Sequence, residues 1–133
     1  MDERTVRLIV VDDSLPARHG LCALLAGRDG IEIVGEASQG LEALALVEEK
    51  QPQAALLDVR MPVMDGIQAA RIIKRRWPRT RVILISMFAD QQDEALDTGA
   101  DAFVVKGCAA EELTTAIVGG PPIEEETSKE CET

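Results

Sequence analysis

Three aspartates, one serine and one lysine stand at the carboxyl ends of apolar runs in this 133-residue chain. Asp12 and Asp13 close VRLIVVDD, Asp58 closes AALLD, Ser86 closes VILIS and Lys106 closes AFVVK. Crowded carboxylates repel one another, and a raised pKa or a bound cation relieves the repulsion. An oxygen-only cluster of few ligands favours Mg²⁺, or Mn²⁺ in its place, which keeps several waters and shares its other positions with phosphate oxygens. Lys106 then supplies a point charge for one phosphoryl oxygen and Ser86 a hydroxyl for another, leaving one carboxylate to act as nucleophile. The chemistry these types suggest is metal-assisted phosphoryl transfer.

These side chains meet only if the intervening elements bring the run ends together. The runs are β-branched and aliphatic without alternation, the pattern of parallel strands buried on both faces. Strands are expected over 6–13, 31–34, 54–58, 82–86 and 102–106. Between them, apolar residues recur at helical spacing: Leu21, Leu24 and Leu25; Leu41, Leu44 and Val47; Ile67, Ala70, Ile73 and Trp77. Helix starts are marked by Asp65 with Gln68 three residues on, by Asp90 ahead of QQDEAL, and more weakly by Cys108 ahead of Glu111. Strands alternating with helices give a doubly wound parallel sheet, because each parallel crossover needs a helix and is nearly always right-handed. Ligands bind such sheets beyond the carboxyl ends of the strands, and there lie all five chemistry-bearing residues.

Composition narrows the function. With 14 basic against 24 acidic residues the formal charge is −10, which repels a nucleic-acid backbone. Hydrophobic residues at 46% and charged residues at 29% describe an ordinary soluble domain. No run reaches the roughly 20 apolar residues of a membrane span and the charged start is unlike a signal peptide, so the expected compartment is the cytoplasm. Cys22, Cys108 and Cys131 form no CxxC and have no partnering histidine, which reads as free thiols. His19 has no second ligand nearby and reads as an ordinary surface histidine, and KRRWPRTR as a solvated, dipole-complementing helix end. Residues 1–118 read as one domain and residues 119–133, with five glutamates against one lysine, as an acidic flexible linker or tail.

The residues VVDDS, LLDVRMPVMDG, LISM and GADAFVVK, in this order at these strand ends, resemble the receiver domain of bacterial two-component response regulators over about residues 5 to 118. The turn after Ser86 and the lack of proline after Lys106 are most similar to the NarL/FixJ (LuxR-type) subfamily. The resemblance implies a flavodoxin-like, CheY-like three-layer sandwich with strand order 2-1-3-4-5. It implies a signalling domain rather than an enzyme, phosphorylated on Asp58 by a sensor histidine kinase. Mg²⁺ would be held by Asp13, Asp58 and the main-chain oxygen of Arg60, with Asp12 acting through water. Ser86 and Lys106 would be drawn to the phosphoryl group while Phe103 turns inward, reshaping the surface of the fourth helix, fifth strand and fifth helix. The resemblance also allows a homodimer on phosphorylation, and assigns DNA binding to a helix-turn-helix domain absent from these residues.

Some positions depart from the family pattern. Gly107 replaces the proline that usually follows the lysine, so a trans bond and a looser loop are expected there. Met87 is bulkier than the small residue common after the hydroxyl, and Arg60 and Phe88 stand at rim positions that govern water access in the family. A metal-dependent phosphatase passing through an aspartyl phosphate is a rival reading, but it wants an aspartate where Arg60 stands. An unphosphorylated interaction module is the other rival, disfavoured by the retention of Asp58, Ser86 and Lys106. Neither GxGxxG nor GxxxxGK[ST] occurs, which removes dinucleotide and P-loop nucleotide sites. Electrophoretic mobility shift with these 133 residues is expected to give no sequence-specific DNA complex; a specific shift would contradict the charge argument.

Overall fold

The computed structural model describes residues 5–119. Five short apolar runs form strands β1 (Val6–Val11), β2 (Ile31–Ala37), β3 (Ala54–Asp58), β4 (Arg81–Ser86) and β5 (Ala102–Val105). They pair in parallel in the order β2-β1-β3-β4-β5, the expected doubly wound arrangement. Five helices connect or follow them: α1 (Leu15–Ala26), α2 (Gly40–Lys50), α3 (Gly66–Arg76), α4 (Gln92–Leu96) and α5 (Ala110–Val118).

Strand alternation divides the core in two. Leu8, Val10, Leu56, Ile83 and Ile85 point to one face, where Leu25 of α1 and Leu113 and Ile117 of α5 cover them. Ile9, Val11, Leu57, Val82 and Leu84 point to the other, under Val47 of α2, Ile73 of α3 and Ala95 of α4. Each fully buried Leu or Ile contributes about 1.5–3 kcal/mol. The paired apolar faces hold the sheet rigid beneath its polar rim.

Several boundaries differ from the expected ones for local reasons. β2 runs to Ala37 instead of stopping at Val34, because the register shifts between Leu8 and Ile9 and lets the strand continue past Gly35. A Cβ at Gly35 would stand 3.2 Å from the Leu46 methyls, so glycine suits this close packing. β1 and β5 end before Asp12 and Lys106, which places both side chains just beyond the strands. Asp90 does not cap α4; it lies in a 3-10 turn, Ala89–Gln91, and the N-cap of α4 is Gln91, whose side chain makes no capping bond to the helix. Nor does Cys108 cap α5. Gly107 takes φ +91° and the Cys108 amide donates to the Val105 carbonyl, so the chain turns once more and α5 starts after Ala109. The Lys106–Gly107 peptide is trans, as expected.

Asp65 caps α3 in a full capping box with Gln68. The basic run ends that helix, with the Arg76 guanidinium 4.5 Å from the Trp77 ring centroid. His19 is exposed and Cys22 and Cys108 are free thiols. Cys131 and, apart from Gly119, the acidic stretch lie outside the described residues. Among the described residues no helix is long and apolar enough to cross a membrane.

The loop after β3 folds tightly back onto its own strand. A Cβ at Gly66 would come within 2.2 Å of the Asp58 carbonyl oxygen, a backbone atom that has no room to yield. Gly66→Ala is therefore expected to cost about 1–3 kcal/mol or more, lowering the urea midpoint. Gly20→Ala, in the interior of α1 with nothing within 4 Å of the new Cβ, is expected to gain about 0.5–1 kcal/mol. Equal midpoints for the two variants would overturn this account.

Candidate functional site

β1 and β3 are neighbours at the point where the winding reverses, and the crevice at their carboxyl ends receives the acidic residues. Asp12 and Asp58 continue the alternation of Val10 and Leu56, so both carboxylates lie toward the α1–α5 side. Lys106 continues the alternation of Val104 and lies on the same side, but β4 stands between β5 and β3. Two strand spacings, roughly 10 Å, separate β5 from β3, and the lysine side chain, the Asp58 side chain and the hydrogen bond between them span that distance together. The Lys106 ammonium donates to Asp58 Oδ2 at 2.9 Å and to Asp12 Oδ2 at 3.1 Å.

Backbone donors fix the remaining oxygens. The Ser14 amide donates to Asp12 Oδ1 at 2.9 Å and the Arg60 amide to Asp58 Oδ1 at 3.1 Å. Ser14 also caps α1, accepting from the Ala17 amide, and Arg18 of the same helix donates to the Asp12 carbonyl at 2.7 Å. Asp12 is fully buried and Asp58 nearly so, whereas Asp13 is exposed and, among the described residues, accepts no hydrogen bond. Carboxylate oxygens of Asp12, Asp13 and Asp58 lie within 4.8 Å of one another. Three carboxylates against one ammonium leave two negative charges, the complement of a divalent cation, and all the donors are hard oxygens. The residues thus fit such an ion.

Burial pushes the Asp58 carboxyl above its ordinary range; the Lys106 and Arg60 hydrogen bonds pull it down and the Asp12 charge pushes it up. Burial alone would lower Lys106, but its hydrogen bonds to Asp58 and Asp12 outweigh that and hold the ammonium above its usual value.

One cavity of about 180 Å³ is lined by Asp13, Asp58, Arg60, Ser86, Met87, Phe88 and Lys106. The structure therefore gathers the expected site residues around a single space, save two. Asp12 lies beneath it, bonded to Lys106. Phe103 is half-buried against the α2–α4 core and pairs with Leu84, one same-face position below Ser86. Met87 and Phe88 are exposed at the rim, and the Arg60 guanidinium stands 5.2 Å from the Phe88 ring centroid. An adjoining groove of about 520 Å³ shares Asp13 and Arg60 and extends to Asp65 and Glu94.

Residues 8–118 match the family model described as the response regulator receiver domain. The chain belongs to the response regulator receiver family. It is 40% identical over 119 residues to the uncharacterized transcriptional regulatory protein YhcZ of Bacillus subtilis, covering 86% of this chain and 56% of that protein. The signal receiver domain of NarL from Mycobacterium tuberculosis superposes with a TM-score of 0.79 at 37% identity, over 85% of this chain and 93% of that one. A complex of CheX with CheY, BeF3 and Mg²⁺ from Borrelia burgdorferi gives a TM-score of 0.76 at 27% identity, over 84% of this chain and 85% of that one. This receiver domain spans about half the length of the curated relatives it matches. It is the receiver of a signalling response regulator of the NarL/LuxR kind, a class built as phosphorylation-dependent switches.

Sequence reasoning missed Gln91. Its side-chain carbonyl accepts the Ser86 hydroxyl proton, and the Ser86 oxygen in turn accepts from the Phe88 amide at 3.0 Å. A glutamine within ADQQDEAL carries no spacing signal that separates it from its neighbours.

The raised Asp58 pKa has a consequence for stability. The folded chain holds this proton more tightly than the unfolded chain, so the ionised carboxylate subtracts stability above its folded pKa. That loss is relieved as pH falls through the raised value. In metal-free buffer at neutral pH, Asp58→Asn is expected to unfold at higher urea than the wild type, with the difference shrinking on acidification. A variant less stable than the wild type at neutral pH would contradict the burial argument.

Proposed function

We propose that Asp58 is the phospho-acceptor of this receiver domain and that a sensor histidine kinase is its phosphodonor. The observation that carries the reading is the Lys106 ammonium bonded at once to Asp58 and Asp12, beside Asp13, at the open rim of the sheet. An Asp58 carboxylate oxygen attacks phosphorus in line; the phosphorus–nitrogen bond of the phosphohistidine breaks and its electron pair returns to the imidazole. The product is an acyl phosphate on Asp58. Water attack on that phosphorus later returns the free carboxylate and inorganic phosphate, so the domain catalyses only its own phosphorylation and dephosphorylation.

Asp13, Asp58 and the main-chain oxygen of Arg60 would hold Mg²⁺ or Mn²⁺, with Asp12 acting through water. When bound, the cation screens the charge of the phosphoryl oxygens. Lys106 exchanges a carboxylate for a phosphoryl oxygen, and Ser86 donates its hydroxyl to another. Phe103 follows on β5, turning into the space that Ser86 leaves. It has no hydroxyl, so an inward rotamer gains packing without a hydrogen bond. Moving such an equilibrium from about 1:99 to 99:1 takes about 5.5 kcal/mol of differential binding, within reach of several charge-assisted contacts. The Arg60–Phe88 stack at the rim sets how readily water reaches the phosphoryl group, with Met87 beside it.

The output is read from the reshaped α4–β5–α5 surface in the cytoplasm, with a homodimer on phosphorylation as one form of readout. Transcriptional output through a DNA-binding domain outside these residues fits the YhcZ relative, a transcriptional regulatory protein of greater length.

Incubation with Mg²⁺ and a small-molecule phosphodonor is expected to add the mass of one phosphoryl group, and Asp58→Asn to abolish the gain. Sustained phosphate release at high turnover would indicate the phosphatase reading, and no adduct the unphosphorylated interaction module.

A further inference from the structure

The Ser86 hydroxyl is fully committed before any phosphoryl group arrives. A serine hydroxyl has a single proton to donate. Here that proton goes to the Gln91 side-chain carbonyl, while the Phe88 amide donates to the same oxygen at 3.0 Å. Ser86 is 2% exposed, so solvent offers little replacement for either bond. We infer that Gln91 is a positioning residue for Ser86, a latch that holds the hydroxyl in the unphosphorylated chain and competes with the phosphoryl group for its proton. The inference rests on Asp58 being the phospho-acceptor.

Gln91 occupies a place from which the competition is felt along the chain. It ends the 3-10 turn Ala89–Gln91 and directly precedes α4, and its own amide donates to the Phe88 carbonyl at 3.2 Å. The Ser86–Gln91 bond thus ties the end of β4 to the start of α4. Releasing the proton to a phosphoryl oxygen unties the two elements. The freed amide has room: Gln91 lines both a cavity of about 210 Å³ shared with Arg60, Phe88 and Asp90 and the groove containing Asp13 and Glu94. A phosphoryl oxygen carries charge and is the stronger acceptor, roughly twofold in bond strength over a neutral carbonyl. The exchange therefore runs toward the phosphoryl group, with the latch opposing it.

The test is binding of beryllofluoride, a phosphoryl mimic, at fixed Mg²⁺, followed by the backbone amide signal of Phe88 in NMR. Gln91→Met keeps the length and removes the acceptor, and is expected to bind about two- to tenfold more tightly than wild type. Gln91→Glu keeps an acceptor oxygen and is expected to show no gain. In a Ser86→Ala background Gln91→Met is expected to change nothing, because the proton it releases is already gone. Circular dichroism checks that each variant folds, and Gln91→Ala serves in place of Gln91→Met if the latter does not. Wild-type binding with no tightening in the acceptor-less variant would overturn the latch alone. A gain that persists without the Ser86 hydroxyl would also overturn it, since the effect would not act through Ser86. No saturable response in the wild-type chain would overturn the phospho-acceptor reading, and the latch with it.

Discussion

A single ammonium group holds two buried carboxylates in place at the rim of this receiver domain. Asp12 is completely inaccessible and Asp58 almost so, and Lys106 reaches both from the far side of β4. Without that bridge the two acids would face each other in a poorly hydrated space, and removing the cation, which leaves buried charge uncompensated, generally costs about 3–5 kcal/mol. The bridge also sets the chemistry. It leaves Asp58 ionisable despite burial, so a nucleophilic oxygen is available, and it leaves two uncompensated charges that suit a divalent ion.

The fold supplies that geometry by alternation and by topology together. Successive residues of a strand face opposite ways, so Asp12, Asp58 and Lys106 share one side while Asp13 and Ser86 take the other. Reversal of winding between β1 and β3 opens the crevice in which these ends converge. Tight local packing then fixes each end. Gly66 lies against the Asp58 carbonyl, the Arg60 amide holds one Asp58 oxygen, and Ser14 links Asp12 to the start of α1.

The same arrangement gives the site two discrete partners for its movable groups. Lys106 can trade a carboxylate for a phosphoryl oxygen, and Ser86 can trade Gln91 for another. On the proposed reading, Lys106 would exchange one charge-assisted bond for another and Ser86 a neutral acceptor for a charged one, so neither donor would be left buried and unpaired. Phe103 lies one same-face position below Ser86 on the neighbouring strand. Arg60 over Phe88 closes the rim above them by a contact that involves neither carboxylate.

The sequence by itself determined the parallel sheet, its order through the family resemblance, and the identity of the acidic and basic residues, because unbroken apolar runs ending in charge admit few other readings. The Asp65–Gln68 capping box was equally legible, since capping acts over three residues. The extension of β2 through Gly35 was not, because a register shift depends on the partner strand. Asp90 and Cys108 carried plausible cap positions, and the turns that displaced them form only where the chain must leave β4 and β5. Tertiary structure alone decided that Lys106 spans β4 to reach two acids, that Arg60 meets Phe88, and that Gln91 takes the Ser86 proton. Those are contacts between side chains on different elements, and their distances depend on packing that no local pattern encodes.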